Sequence, residues 1–297
     1  MEFATSLYNV DMDIYLVTYW SSPYWVKGYL GLPPGLSLSD EQIASALSDA
    51  YGASAVQTVT HMTLDHPHCP DTALGSFDDG RWPALLYCRG GIGHVGPVKA
   101  DWIRTFSAQG FVVFAPFYRG SESGQGRDEF GGADVEDCVA AVRLLRALPF
   151  VQGDRMTVLG FSRGAVNAFQ TVLAVPDIHR LIQWGGVADL AATYEERVDL
   201  RRMLRRVLGG TPTKRPEAYR ARSAAAHAAA IPCPTLIIHG TADVQVDITH
   251  AYRLYDALQA HARPVDKHIY EGYGHHLPEP VFTAAVERFA AWTRQEV

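Results

Sequence analysis

The chain has 297 residues, of which 47% are hydrophobic and 20% charged, and it carries a formal net charge of −6 at pH 7. That size suits one large α/β domain, and the negative charge argues against a nucleic-acid-binding protein. No apolar run reaches the roughly 18 residues of a membrane helix, and residues 1–17 lack the basic start and apolar core of a signal peptide. The four cysteines form no C-x-x-C pair, which favours reduced thiols and a cytoplasmic location.

The sequence predicts a single domain over residues 1–297, in which residues 1–80 form an N-terminal extension. Stretches rich in β-branched and aromatic residues predict two strands that form an antiparallel hairpin. A helix with capping-box spacing between Ser39 and Gln42 follows, and an alternating segment then predicts a further strand. In chain order these elements are strands over 13–20 and 24–33, a helix over 37–52 and a strand over 53–64.

Side chains that could bind a metal are concentrated in residues 61–69, HMTLDHPHC. Pro67 and Pro70 break any regular element there, and no second ligand pair follows at the spacing of a zinc finger. A polar surface loop is therefore favoured over a metal site, and no metal is predicted. The potential ligands are His61, Asp65, His66, His68 and Cys69.

From residue 83 onwards, short continuous apolar runs alternate with helical segments. Continuous apolar strands are typical of a parallel sheet that is buried on both faces. The alternation predicts a doubly wound α/β sheet that binds ligands beyond the carboxyl ends of its strands. The predicted strands are 83–88, 111–117, 155–160, 179–186, 234–240 and 267–272, and the predicted helices are 97–109, 133–148, 164–174, 248–261 and 279–295.

Residues 188–228 interrupt this alternation with a long, charged, largely helical insertion, which is predicted to cap the site. Its cluster of arginines favours an amphipathic helix with a solvated basic face over contact with an anionic substrate. Glu195 and Glu196 resemble the paired glutamates that bind peptide N-termini in some exopeptidases. Thr193 and Glu196 also have capping-box spacing, however, and helix initiation is the preferred interpretation. The arginines are Arg201, Arg202, Arg205 and Arg206.

The pentapeptide GFSRG, residues 160–164, has the form G-x-S-x-G and directly follows a predicted strand. This pattern is typical of a sharp strand-to-helix turn that exposes a serine nucleophile, here Ser162. A serine needs a base to take its proton, most often a histidine held by a carboxylate. Asp243 and His275 follow the next two suitable strands in the order serine, acid, histidine, and the neighbouring His276 is the alternative base.

Attack by Ser162 on a carbonyl places negative charge on the carbonyl oxygen, which needs hydrogen-bond donors. One donor is predicted to be the backbone N–H of Arg163, the residue after the nucleophile. The second is expected from the glycine-rich loop that follows the 83–88 strand, at Gly90 or Gly91.

These segments resemble the catalytic domain of the prolyl-oligopeptidase branch of the α/β-hydrolases. The similar pieces, in order over residues 83–280, are PALLYCRGGIG, FYRGSESGQGRDEFGGADVEDCVAAVRLL, TVLGFSRGA, PTLIIHGTADVQV and YEGYGHHL. The resemblance implies an α/β-hydrolase fold in which Ser162 is the nucleophile, Asp243 the acid and His275 the base. It also implies that no metal or organic cofactor is needed.

Three features depart from the pattern of that branch. Arg89 stands where relatives carry a histidine or a tyrosine that donates to the oxyanion, and Ala165 replaces the usual glycine after Gly164. The residues before the catalytic segments are also too few for the β-propeller that sieves peptides in full-length peptidases. Arg89, together with Tyr118 and Arg119 of the Tyr-Arg-Gly-Ser loop, is a candidate contact for substrate.

The leading functional expectation is a serine carboxylesterase that cleaves small or medium acyl esters through an acyl-enzyme. An alcohol leaves more readily than an amine, so a bare hydrolase domain needs less substrate positioning to cleave esters. A small-peptide or amide hydrolase is the alternative enzyme, and a catalytically silent binding domain is the alternative from another class. The expected partner is a small ester or short peptide, with no nucleic acid and no membrane. The aromatic hairpin is expected to pack on the sheet edge or on a second subunit of a homo-oligomer.

Overall fold

A mixed sheet of nine strands runs through the protein in the order β3-β1-β2-β5-β4-β6-β7-β8-β9. The structure is a computed structural model that describes residues 13–51, 56–62, 76, 79–122 and 124–295. Strands β4 to β9 run parallel to one another, whereas the first three pair antiparallel. The predicted α/β class with an N-terminal antiparallel hairpin is confirmed. The strands are β1 (Ile14–Ser21), β2 (Tyr24–Gly31), β3 (Val56–Met62), β4 (Trp82–Cys88), β5 (Val112–Pro116), β6 (Val151–Phe161), β7 (Arg180–Trp184), β8 (Thr235–Gly240) and β9 (Val265–Tyr270).

The parallel strands are buried on both faces, as their continuous apolar sequences require. Every residue of β5, β7 and β8 is buried. Helices cover the two faces and form a separate core on each, one containing Val158 and Phe169 and the other Leu159 and Phe289. Val158 and Leu159 are adjacent in β6 and belong to opposite cores because side chains alternate along a strand.

The helices follow the predicted segments closely. Helix α1 begins at Asp40 because Ser39 caps it: the Ser39 N–H donates to Gln42 Oε1 at 2.8 Å, and the Gln42 N–H donates to Ser39 Oγ at 3.2 Å. The helices are α1 (Asp40–Tyr51), α2 (Ala100–Ala108), α3 (Val135–Ala147), α4 (Gly164–Ala174), α5 (Leu190–Glu196), α6 (Arg201–Leu208), α7 (Pro216–Arg220), α8 (Thr249–Ala260) and α9 (Val281–Thr293), with 3-10 turns at Val198–Leu200 and Ala224–Ala230.

The hairpin lies on the edge of the parallel sheet. Ser21 of β1 pairs with Tyr24 of β2, so a two-residue turn joins the strands, and β2 pairs antiparallel with β5 through Leu30 and Phe114. Of the two packing arrangements that the sequence leaves open, the structure has the one on the sheet edge.

The 188–228 insertion lies between β7 and β8 and packs against the body of the protein. Leu190, Leu204 and Tyr219 join the core that contains α4 and α8, which holds the segment beside the sheet. Among the described residues, none from 188–228 lines the cavity that contains Ser162. Arg197 of the insertion donates to the carbonyl of Gln245, a residue of that cavity's wall, at 2.8 Å, and the cap over the site stays a prediction. The basic face is confirmed as solvated, since Arg202, Arg205 and Arg206 are exposed.

The predicted capping box at Thr193 is wrong. Helix α5 begins earlier, because Asp189 Oδ1 accepts hydrogen bonds from the N–H groups of Ala191 and Ala192. Thr193 then falls inside the helix and Glu196 becomes its last residue.

Membrane-spanning helices and metal sites can be assessed only in the described residues. None of the helices in the described segments is long and apolar enough to cross a membrane. Within those segments no group of three or more potential ligands is arranged to hold a metal; His61 pairs with Asp13, and the other four residues of the 61–69 cluster lie outside the described residues. Cys88, Cys138 and Cys233 carry free thiols.

Candidate active site

Ser162 occupies a sharp turn between the end of β6 and the start of α4. Its φ is +57°, a left-handed backbone conformation that costs energy for a side chain with a Cβ, and its N–H donates to the Trp184 carbonyl at 2.9 Å. A Cβ at Gly160 would lie 2.5 Å from Ala165 Cα, and one at Gly164 would lie 2.0 Å from the Cys88 carbonyl oxygen. The two glycines of the motif are therefore required because α4 crosses so close to β4 and β6.

Asp243 and His275 lie beyond the ends of β8 and β9 and contact each other directly. Asp243 Oδ2 is 2.7 Å from His275 Nδ1, and both side chains are buried. Oδ1 of Asp243 accepts the N–H groups of Gln245 and Val246 at 2.8 and 3.0 Å. Burial would raise the pKa of the Asp243 carboxyl, but hydrogen bonds from His239 and His275 lower it well below its usual range. The carboxylate is thus ionised and fixed against the histidine.

Ser162 and His275 open into the same cavity of about 230 Å³. Its walls are mostly apolar and aromatic, with Lys99 on one side. His276 also lines this cavity, but its ring packs against Phe161 and Trp102. Partial burial, together with electrostatic interactions with His275 and Lys99, lowers the pKa of His276 below its ordinary value. The cavity residues are Tyr87, Gly90, Gly91, Val95, Gly96, Pro97, Lys99, Trp102, Phe161, Ser162, Gln245, His275 and His276.

Arg89 does not reach this cavity. Its side chain is 1% exposed and lies beneath the glycine-rich loop, where its guanidinium donates to backbone carbonyls on both sides. Nη1 donates to the Gly90 carbonyl at 2.9 Å, and Nη2 donates to the carbonyls of Gly93 and Phe117, each at 2.9 Å. The expectation that Arg89 contacts substrate is therefore inconsistent with its position, because its donors are bonded to the glycine-rich loop and to the Phe117–Ser121 segment.

Tyr118 and Arg119 are likewise buried away from the cavity. The Tyr118 ring lies between two guanidinium groups, with Arg89 Cζ 5.0 Å and Arg163 Cζ 4.6 Å from its centre, and its hydroxyl donates to the Arg89 carbonyl at 3.2 Å. Arg119 pairs with buried Asp137 at 2.7 Å and also donates to Ser21 of β1. Both expected substrate contacts are corrected to internal supports of the fold.

The expected oxyanion donors lie beside the turn that carries Ser162. Gly90 and Gly91 line the cavity, and Gly90 approaches Ser162 so closely that a Cβ there would lie 3.1 Å from Ser162 Cβ. Among the described residues, the backbone N–H groups of Gly90, Gly91 and Arg163 have no acceptor. They are therefore available to a substrate oxygen, while the Arg163 side chain points into the protein and is 3% exposed.

Two buried carboxylates were missed by the sequence reasoning. Asp128 and Asp134 both pair with Arg163, and Asp134 also accepts hydrogen bonds from Asn167 and from backbone N–H groups of its own loop. The segment GRDEFGGAD holds three acidic residues close together, and this was the available signal of a charged cluster. Nothing in their spacing indicates that the partner of Asp128 and Asp134 is Arg163, about thirty positions away.

The arrangement as a whole can support acyl transfer. The site has the groups of a serine nucleophile and its base. These are a hydroxyl at a strained turn, an imidazole in the same cavity, and an ionised carboxylate bonded to the imidazole nitrogen that faces away from the hydroxyl. Free backbone donors beside the hydroxyl can stabilise an oxyanion.

Comparison with known proteins agrees with this chemistry. The model of the prolyl oligopeptidase family matches residues 99–297. The chain belongs to that family. It is therefore an enzyme, a serine hydrolase of a peptidase family. The uncharacterized peptidase YtmA of Bacillus subtilis is 42% identical over 218 residues, which cover 73% of this chain and 85% of that protein.

More distant relatives are longer proteins. Dipeptidyl-peptidase 5 of Porphyromonas gingivalis is 27% identical over 67% of this chain, and the match covers 31% of that relative. The structure of Pyrococcus horikoshii acylaminoacyl peptidase superposes with a TM-score of 0.70 at 15% identity, covering 97% of this chain and 43% of that one. A puromycin hydrolase structure gives a TM-score of 0.69 at 21% identity, covering 99% and 40%. The two structures support the shared fold.

Proposed function

We propose that this protein is a serine peptidase that hydrolyses short peptides or aminoacyl amides through an acyl-enzyme on Ser162. The observation that carries the proposal is the 2.7 Å bond between Asp243 and His275 in the cavity that Ser162 lines, within a chain of the prolyl oligopeptidase family. A carboxylesterase was the leading expectation from the sequence. The family and the peptidase relative at 42% identity support peptide cleavage better.

The geometry assigns a role to each group. Ser162 Oγ attacks the carbonyl carbon while His275 Nε2 takes its proton, and Asp243 holds the other nitrogen and stabilises the imidazolium. The N–H groups of Arg163 and of Gly90 or Gly91 bind the oxygen that becomes negative. His275 then donates its proton to the leaving amine, and water releases the acyl group by the same steps in reverse.

The cavity supports small substrates with a neutral or anionic group near the cleaved bond. Its volume of about 230 Å³ is below the usual range for drug-sized ligands, and its aromatic walls suit an apolar side chain. Among the described residues that line it, Lys99 is the one with a permanent charge and none is acidic. Glu195 and Glu196, which resemble glutamates that bind peptide N-termini, are bonded instead to Arg201 and His250.

The test compares amide and ester turnover by the same active site. We expect N-acetylalanine p-nitroanilide to be cleaved by the wild-type chain and not by Ser162→Ala, and an unblocked alanine anilide to be cleaved less well. A serine peptidase should also cleave p-nitrophenyl butyrate, since an ester is the easier substrate. Ser162-dependent cleavage of the ester with no cleavage of any short anilide would contradict the proposal and favour a carboxylesterase. A chain that fails to react with a fluorophosphonate at Ser162 would contradict both.

A further inference from the structure

We propose that Asp128 is a positioning residue that holds the two halves of the oxyanion site at a fixed separation. The inference rests on the proposed function, because it concerns the donors assigned there. Asp128 lies in the loop before α3, where its side chain is 4% exposed. Its two carboxylate oxygens contact different structural elements, one on each side of the site.

One oxygen holds the glycine-rich loop. Asp128 Oδ2 accepts the Gly93 N–H at 3.1 Å and lies 3.9 Å from Nη2 of Arg89. Arg89 in turn donates to the carbonyls of Gly90 and Gly93. The position of the Gly90–Gly91 backbone therefore depends on two groups that Asp128 contacts directly.

The other oxygen holds the nucleophile turn. Asp128 Oδ1 accepts from Arg163 Nη2 at 2.5 Å and from the Phe130 N–H at 3.0 Å. Arg163 contributes the donor that follows Ser162, and its guanidinium also pairs with Asp134 at 2.7 Å. Fixing the side chain of Arg163 limits the movement of its own backbone N–H.

The network contains two positive and two negative side chains. Two arginines, Arg89 and Arg163, face the carboxylates of Asp128 and Asp134, and all four side chains are at most 4% exposed. Buried charged hydrogen bonds are strong when every partner is present, and removing one partner leaves another charge uncompensated. Among the described acidic residues, Asp128 is the one that contacts both the glycine-rich loop and Arg163.

Such a link matters for catalysis because oxyanion donors act only at the correct distance from the developing charge. A displacement of about 1 Å in reacting geometry can cost roughly a hundredfold in rate. Substrate binding in the ground state depends far less on that distance. Loss of Asp128 should therefore lower kcat and leave KM nearly unchanged.

The test is Asp128→Asn with N-acetylalanine p-nitroanilide. An amide can offer its oxygen to Gly93 or to Arg163, but its NH₂ then faces the N–H donor of the other. We expect kcat to fall about 10- to 100-fold, with KM within about threefold. Affinity for a peptidyl trifluoromethyl ketone, whose adduct carries an oxyanion, should fall by the same factor as kcat/KM.

Asp137→Asn is the matched control. Asp137 is also fully buried and also pairs with an arginine, Arg119, but it joins α3 to the hairpin and not to the glycine-rich loop. We expect this variant to lose thermal stability and to keep its kcat. If Asp128→Asn does not fold, Asp128→Glu retains the charge while displacing it by one methylene, and the same loss of kcat is expected.

The outcomes separate the two proposals. Turnover that requires Ser162 but has the same kcat in the folded Asp128 variant overturns the positioning role alone. A kcat loss equal to that of Asp137→Asn also overturns it, since the effect would then be one of general stability. Turnover that does not require Ser162 overturns the proposed function, and the positioning role with it.

Discussion

His250 of α8 is bonded through Nε2 to Oε2 of Glu196, the last residue of α5, at 2.9 Å. The Nδ1 atom on the other side of the ring accepts the N–H groups of Ala188 and Asp189 at 3.2 and 3.3 Å. The ring is fully buried, so this histidine joins the insertion to the body of the protein in its neutral form.

The burial of His250 predicts a loss of stability in mild acid. Burial lowers the pKa of His250 below its ordinary value, although the Glu196 carboxylate opposes the effect. As the pH falls below about 6.5, the unfolded chain takes up a proton at this position before the folded chain does. The free energy of unfolding therefore falls with pH, by at most about 1.4 kcal/mol per pH unit for one group. Thermal unfolding followed between pH 7.5 and pH 5 measures this slope.

His250→Gln should be less stable than the wild type at pH 7.5 and should show a shallower slope. The matched control is His261→Gln, which alters an exposed histidine just after the same helix and should leave the slope unchanged. Equal slopes in the wild type and His250→Gln would show that other groups cause the acid sensitivity.

Asp243→Asn should lower kcat by about 10⁴-fold, the scale expected when the carboxylate of a serine–histidine pair is lost. An amide cannot stabilise the imidazolium, and its NH₂ can turn the ring to the wrong tautomer. Asp247→Asn is the control on the same loop, because Asp247 caps the start of α8 and accepts the Thr249 N–H at 2.9 Å. Steady-state anilide turnover by both variants measures the difference; similar rates would remove Asp243 from the mechanism.

His275→Ala should abolish turnover, whereas His276→Ala should retain kcat within about tenfold. The structural reason is that Asp243 is bonded to His275, while His276 is exposed at the cavity wall. The ring of His276 is partly covered by its neighbours, and this partial burial, with His275 and Lys99 nearby, lowers its pKa and favours its neutral form near pH 7. A greater loss in His276→Ala would identify it as the base.

Lys99→Met should reduce the preference for anionic substrates. Lys99 lines the cavity and is exposed, so its interaction with an anionic substrate should be about as strong as a surface ion pair. The measurement is the ratio of kcat/KM for an N-succinyl anilide to kcat/KM for an N-acetyl anilide, which should fall about two- to fivefold. Arg89→Lys should lower stability and leave that ratio unchanged, because Arg89 faces the loop backbone and not the cavity. A change in the ratio caused by Arg89→Lys would place its charge at the substrate.

The sequence was sufficient to predict the sheet and to place Ser162, Asp243 and His275 at the carboxyl ends of its strands. Apolar runs and glycine spacing are local signals, and strand ends in a parallel sheet meet at one edge. The supports of the site were not predictable in the same way. Arg163 and Asp128 are 35 positions apart, and Arg89 and Ser121 are 32 apart, so nothing local distinguishes them from surface charges.

Misassigned residues show the same limitation. Thr193 and Glu196 have the spacing of a capping box, yet Asp189 caps the helix first and Glu196 bonds to a histidine 54 positions away. Arg89 and Arg119 were candidate contacts for substrate. In the structure, burial makes their charges satisfy backbone carbonyls and Asp137 instead.

Trp102 forms part of the cavity wall and also belongs to an aromatic cluster, with its ring 4.9 Å from that of Phe161 and 6.1 Å from that of Trp184. An indole in such a position senses changes in local polarity when water beside it is displaced. The protein therefore carries its own optical reporter: its intrinsic emission should change when an inhibitor fills the cavity, and a Trp102→Phe variant should lose most of that change. Binding could then be followed with unlabelled, unreactive compounds, separately from any chemical step.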